Sequence, residues 1–118
     1  VYPNHIQMNG AAVYNFTLDM VPPLVEDTLQ KNCLERGQID LYVFHQANKF
    51  MLDTLRKLCK LAPEQFYTCL EDVGNTVSNS IPIALKRALH DKSITPGAKV
   101  LIAGFGVGYS WGGCVLQF

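Results

Sequence analysis

The chain has 118 residues, of which 48% are apolar and 17% charged, and its ten Lys plus Arg balance ten Asp plus Glu. This composition excludes a disordered chain, which lacks the apolar side chains to bury a core, and the length fits one domain or part of a larger one. A formal charge of zero excludes a whole-domain electrostatic footprint for nucleic acid or a membrane surface, so any charged docking face must be local.

No apolar run approaches the roughly 18–20 residues that span a bilayer, and Val1-Tyr2-Pro3-Asn4-His5 lacks the charged-then-apolar pattern of a signal peptide. A cytoplasmic chain is expected. It begins with Val rather than Met, as a piece cut from a longer protein would, or a chain whose starting Met was removed. Cys33, Cys59, Cys69 and Cys114 are spaced by 26, 10 and 45 residues, with no Cys-x-x-Cys pair and no nearby histidine pair. Zinc and haem attachment are therefore unsupported, no metal site is expected, and reduced, packed thiols are.

From Gly10 to Leu34, apolar residues recur at Val13, Phe16, Met20, Leu24 and Leu29, with Thr28 in phase, at helical spacing. Pro22-Pro23 removes two amide donors, which predicts a kink or break near Met20, and Gly37 is the expected stop. Leu41-Tyr42-Val43-Phe44 reads as a short strand buried on both faces, with His45 just past its end. Met51, Leu55, Leu58 and Cys59 form a second helical stripe between Asn48 and Leu61, stopped by Pro63. Phe66 to Leu70 is a weaker strand candidate leading into Gly74-Asn75. A third helical pattern runs from Val77 to Leu89, and Pro82 either opens its first turn or kinks an earlier start near Asn75. After the turn signal Pro96-Gly97, Lys99 to Ala103 reads as a buried strand and Tyr109 to Phe118 as a second extended stretch. Alternating helices and strands predict an α/β fold with a mixed, mainly parallel sheet covered by helices.

Residues just after parallel strands collect along one sheet edge, where open α/β sheets bind ligands. Three turns fall there: His45-Gln46-Ala47-Asn48, Gly74-Asn75-Thr76 and Gly104-Phe105-Gly106-Val107-Gly108. A neutral imidazole, a carboxamide and the N–H groups of a glycine-rich turn are uncharged donors suited to an oxygen on which negative charge develops. Helix N-termini after His45 and Asn75 would keep the imidazole neutral. The competing reading is a capping Asn75 and a buried, hydrogen-bonded His45.

The ordered set His45-Gln46-Ala47-Asn48, Gly74-Asn75-Thr76 with Ser80 and Pro82, Pro96-Gly97, and Gly104-Phe105-Gly106-x-Gly108-x-Ser110-Trp111-Gly112 resembles the C-terminal half of β-ketoacyl-acyl carrier protein synthase III, from about Met8 to Phe118. The resemblance implies the thiolase fold, in which two similar α/β halves form a subunit that usually dimerises. Residues 1–118 would be one catalytic half, with the nucleophile-bearing N-terminal half lying elsewhere. It further implies decarboxylative condensation of acyl-CoA with malonyl-acyl carrier protein in fatty acid biosynthesis, with no cofactor. A cysteine of the other half would take the acyl group. His45 and Asn75 would support decarboxylation, and the Val107 N–H would serve a second oxyanion site. The family usually has glycine where Val107 stands, which questions the local loop geometry. None of the four cysteines sits in a matching nucleophile context, so this chain alone is expected to be inactive in the full condensation. A polyketide- or quinolone-type condensing enzyme of the same superfamily, and a binding or assembly module that lost the chemistry, are the alternatives.

Lys49, Arg56, Lys57 and Lys60, less Asp53, give the second helix a basic face. It is a solvated surface or a dock for the family's acidic acyl carrier protein, although Phe50 replaces the arginine the family commonly carries two residues after Asn48. Gly108-Tyr109-Ser110-Trp111-Gly112 matches the serine nucleophile pattern by chance, since a strand and no helix follows it. The glycine turn is no dinucleotide fingerprint for the same reason. Asn15-Phe16-Thr17 is a glycosylation triplet inside a predicted helix.

Overall fold

Asn9 opens the first helix, its side chain accepting from the Ala12 N–H at 3.1 Å and so satisfying one of the donors a helix start leaves unpaired. The helix, α1, runs Gly10–Lys31 in the computed structural model, which describes residues 3–118; the sequence reading at Val1 and Tyr2 lies outside the described residues. It is not broken near Met20. Pro22 and Pro23 release only the carbonyls of Leu18 and Asp19, on the half-exposed to exposed side of the helix, while Val21 and Val25, both fully buried, hold the two parts against one surface. The buried stripe is Thr17, Val21, Val25, Thr28 and Leu29, turned by about one residue from the expected face. Thr17 and Thr28 can occupy it because their hydroxyls donate to the Val13 and Leu24 carbonyls one turn back, at 2.9 and 2.7 Å.

The helix stops before Gly37. Asn32 caps it and Cys33 takes the left-handed conformation (φ 54), with Cys33 N–H bonding Gln30 O and Leu34 N–H bonding Leu29 O. The second helix, α2 (Lys49–Leu58), ends in the same way at Lys60 (φ 57), ahead of Pro63, and the third, α3 (Ser80–His90), at Lys92 (φ 66). A side chain in this conformation costs about 1–2 kcal/mol that glycine avoids, less glycine's greater entropy in the unfolded chain. Each of Cys33→Gly, Lys60→Gly and Lys92→Gly should therefore raise the stability of the protein by about 0.5–1 kcal/mol in urea unfolding.

Three strands form one mixed sheet in the order β1 (Leu41–Phe44), β2 (Lys99–Gly106), β3 (Ser110–Gln117). β1 lies parallel to β2, Leu41 opposite Val100 and Phe44 opposite Ala103, and β3 returns antiparallel to β2. Asp40 aligns the parallel pair: its N–H donates to Lys99 O at 2.9 Å and its carboxylate accepts from Lys99 N–H at 2.8 Å. All four β1 side chains are buried, as expected of a strand covered on both faces. Tyr42 and Phe44 join the core under α1 and α2 with Val21, Val25, Leu52 and Leu55, whereas Leu41 and Val43 join the core under α3 with Ala84, Ala88 and Val100.

The strand expected at Phe66–Leu70 is reduced to a single parallel bridge between Phe66 and Tyr42, following a short 3-10 turn over Pro63–Gln65. The buried Gln46 side chain takes over the ladder. Its amide donates to Phe44 O at 2.7 Å and its oxygen accepts from Cys69 N–H at 2.9 Å, so a side chain joins the segment to the end of β1. Pro82 falls in the first turn of α3, after a 3-10 turn over Val77–Asn79, where its missing N–H leaves no bond unmade.

Candidate active site

At the end of β1, the His45 N–H still bonds the sheet, donating to Ala103 O at 2.9 Å, so the imidazole leaves the strand from a fixed backbone position. Two groups hold the ring. Its Nδ1 lies 2.5 Å from the Ser80 hydroxyl at the start of α3, and the ring packs against Phe105 in a T-shaped pair, centroids 5.4 Å apart at 81°. Burial disfavours the charged ring and lowers the pKa of His45 below its ordinary 6.5, which leaves it neutral at pH 7.

Asn75 sits on the other wall. Its Oδ1 accepts from Val77 N–H at 2.8 Å, which closes a tight turn and fixes the amide plane. Val77 pays for that turn with a left-handed backbone (φ 56) that β-branched residues rarely adopt. With the oxygen engaged, the Asn75 NH2 is the part of the side chain left to donate. Asn75 thus closes a turn and caps no helix, since the cap positions of the 3-10 turn and of α3 are Thr76 and Asn79, neither with a side-chain cap, and His45 is hydrogen-bonded but only half-buried.

His45 and Asn75 line one cavity of about 920 Å3, together with Val107, Asn48, Phe105 and Trp111. It opens between the start of α1, the β1–α2 turn, the start of α3 and the β2–β3 hairpin. Val107 lies in that hairpin, 60% exposed, and the positive φ of the turn falls on Gly108 (131) instead. A side chain at 107 therefore imposes no backbone strain.

None of the four cysteines lines the cavity, and all four are free thiols. Burial pushes the Cys59 thiol up to about 11 and raises Cys69 as well, so neither is a ready thiolate. Among the described residues, no group of three His, Cys, Asp or Glu is placed to hold a metal ion, and no helix is long and apolar enough to cross a membrane.

Asn48, on the cavity wall, caps α2 by accepting from Met51 N–H at 2.8 Å; Lys49 starts the helix next to it, whereas Arg56 and Lys57 lie in its last turn. Lys49 pairs with Asp53 at 3.1 Å, and Lys57 is exposed. Arg56 donates to Leu61 O at 3.1 Å and thereby closes the C-terminal end of the helix, beyond which Lys60 lies outside the helical face. Sequence reasoning gave no role to Ser80 or Gln46. The signal for Ser80 was a small polar residue in the first turn of a helix, two positions before a proline, and for Gln46 a polar residue directly after a buried strand.

A family profile described as 3-oxoacyl-[acyl-carrier-protein (ACP)] synthase III C terminal matches residues 29–118. A β-ketoacyl-[acyl-carrier-protein] synthase III of Gloeobacter violaceus is 42% identical over 107 residues, 91% of this chain and 32% of that protein. The crystal structure of a β-ketoacyl-[acyl carrier protein] synthase III from Thermus thermophilus superposes with a TM-score of 0.93 at 34% identity, over 98% of this chain and 36% of that one. The priming β-ketosynthase of the R1128 polyketide biosynthetic pathway gives 0.89 at 30% identity, over 95% and 34%. The chain spans about a third of the length of these relatives, and its helices and mixed sheet form part of the same thiolase-type fold. With the profile matching most of its length, from within α1 through β3, the chain belongs to the C-terminal family of the 3-oxoacyl-[acyl-carrier-protein] synthases III.

Proposed function

We propose that this chain is the enolate-stabilising, C-terminal part of a 3-oxoacyl-[acyl-carrier-protein] synthase III, an acyltransferase that condenses acyl-CoA with malonyl-acyl carrier protein in fatty acid biosynthesis. The observation that carries the reading is the position of the His45 imidazole and the Asn75 amide on one cavity, the ring held at Nδ1 by the Ser80 hydroxyl and the amide at Oδ1 by Val77 N–H. When the malonyl thioester loses carbon dioxide, the electron pair of the breaking C–C bond moves into the thioester, and its oxygen becomes an enolate oxygen. Two neutral donors stabilise that charge more than they stabilise the starting carbonyl, which is the condition for acceleration. The enolate carbon then attacks the acyl-thioester carbonyl of a cysteine supplied from outside this chain. A C–C bond forms and the cysteine leaves as thiolate, after its tetrahedral oxyanion has been held by main-chain donors that include Val107 N–H.

The test is the full-length protein given acyl-CoA and malonyl-acyl carrier protein, with carbon dioxide and the 3-oxoacyl thioester measured as products. Absence of both from a folded, acylated protein would sink the reading. The likeness to a polyketide priming synthase favours a second reading, in which the same chemistry feeds polyketide assembly; product analysis with competing starter thioesters separates the two. A homodimeric full-length enzyme and a cytoplasmic location belong to the same proposal, the latter supported by four unpaired thiols.

Docking of the acidic carrier protein is assigned to Lys49, Arg56 and Lys57 on α2, the helix whose start adjoins the cavity. Because Arg56 also closes α2, the informative variants are Lys49→Glu and Lys57→Glu. Together they should raise KM for malonyl-acyl carrier protein several-fold at low salt and leave KM for a malonyl-CoA surrogate unchanged. Equal effects on both substrates would assign the face to solvent.

A further inference from the structure

Resting on the decarboxylating role proposed for His45, we propose that Ser80 is a positioning residue that selects the imidazole tautomer. The Ser80 hydroxyl is 3% exposed and has two partners among the described residues, Gln46 N–H at 3.3 Å and His45 Nδ1 at 2.5 Å. A hydroxyl has one hydrogen to donate and two lone pairs. The Gln46 N–H can only donate, so Ser80 accepts there with one lone pair; its own hydrogen has no acceptor among the described residues other than Nδ1, and accepting a second time from an Nδ1–H would leave that hydrogen buried and unpaired. Nδ1 is then the acceptor nitrogen, the ring proton resides on Nε2, and Nε2 is the polar atom the ring offers to the cavity. The opposite tautomer would leave Nε2 as a lone pair facing the enolate oxygen, a repulsive contact at the point where charge develops.

The geometry is secured on every side. Ser80 is the first residue of α3, Gln46 is held by its side-chain bonds to Phe44 and Cys69, and the His45 backbone is anchored to Ala103. Phe105 packs against the ring in a T-shaped contact. No charged side chain is bonded to either the ring or the hydroxyl among the described residues, so the tautomer is set by a neutral partner and the imidazole remains a neutral donor.

The experiment uses the full-length protein with 15N-labelled histidine, the His45 signals being assigned by their loss in His45→Ala. At neutral pH the unmutated protein should show a protonated Nε2 and an unprotonated Nδ1; the reverse pattern overturns the proposal without any variant. Ser80→Ala should lower kcat for malonyl decarboxylation by about 5- to 10-fold, the effect of one neutral hydrogen bond on the tautomer balance. KM should stay unchanged, the two nitrogen signals should move toward a mixed population, and Ser80→Thr, which keeps the hydroxyl, should restore both. An unaltered kcat in Ser80→Ala, or a loss that Ser80→Thr does not recover while both proteins remain folded, overturns it. His45→Ala assayed alongside distinguishes the two levels: full activity there removes the role of His45, whereas a large loss there with none in Ser80→Ala removes only that of Ser80.

Discussion

Replacing His45 by alanine in the full-length protein should slow release of carbon dioxide from the malonyl thioester by about 10²- to 10³-fold, while acylation of the nucleophile continues. On the proposed function the imidazole is one of two donors that face the developing enolate, and loss of one preorganised donor of this kind costs about 3–4 kcal/mol of transition-state stabilisation. The effect belongs in kcat, since the donor gains most once charge has formed. Measuring the two half-reactions separately, by carbon dioxide release and by mass spectrometry of the acyl-enzyme, checks the assignment; equal loss of both would contradict it.

Asn75 calls for two variants, because its side chain accepts from Val77 N–H and, on the proposed function, also donates to the enolate oxygen. Asn75→Ala removes both functions and lets the strained turn at Val77 relax. Asn75→Asp keeps the acceptor and the turn, yet exchanges the donor for a negative charge next to the enolate. If donation is the function, Asn75→Asp is at least as slow as Asn75→Ala; if loop order is the function, Asn75→Asp retains activity. His45 adds a pH signature to stability. With its folded pKa below 6.5, the unfolded chain binds more protons just below that value, so stability should fall as pH drops through 6.5 and then level off below the folded pKa. His45→Ala should flatten that part of the stability profile in denaturant titrations.

What the sequence made legible here follows from which interactions leave a local pattern. Leu41–Phe44 was readable because four consecutive apolar residues can only be served by cover on both faces. Its position beside Lys99–Gly106 then brought the turns after both strands to one sheet edge, where His45 and Val107 line one cavity; Asn75 reaches the same cavity from the segment that the Gln46 side chain ties to the end of β1. The face of α1 was misjudged because Thr17 counts as polar until its hydroxyl is seen to return to the helix backbone. Helix ends at Cys33 and Lys60 left no mark, since the nearby Gly37 and Pro63 are stronger stop signals than residues forced into a left-handed turn. The strand at Phe66–Leu70 failed because its ladder partner is the side chain of Gln46, and long-range side-chain bonds have no periodicity to read. Ser80 is the same case: 35 residues separate it from the ring it touches.

Substituting Gly113 should unseat α1 from the sheet. In β3, Gly113 lies opposite Ala103, and a methyl group added there would stand 3.0 Å from Ile102 O, 3.1 Å from Thr28 Oγ1 and 3.6 Å from Leu24 Cδ1. Neither of the two nearest atoms yields easily. Ile102 O belongs to the central strand, and the Thr28 hydroxyl is tied to Leu24 O at 2.7 Å in a residue 5% exposed. Removing glycine narrows the unfolded ensemble and returns about 0.4–1 kcal/mol, but overpacking at a fixed contact costs about 1–3 kcal/mol. The clash wins, so Gly113→Ala should lower stability by about 1–2 kcal/mol and Gly113→Val by more, read as a lower urea midpoint at unchanged slope. The mechanism is separable from a general defect in β3. Thr28→Ala removes the nearest side-chain atom, so Gly113→Ala should cost markedly less in a Thr28→Ala background, with a coupling of about 0.5 kcal/mol or more in the double-mutant cycle. Strict additivity would mean that α1 does not bear on Gly113. Because the start of α1 also walls the cavity at Gly10, Val13 and Tyr14, the same substitution should raise KM for the malonyl thioester, linking a backbone contact at the far end of the helix to the shape of the site.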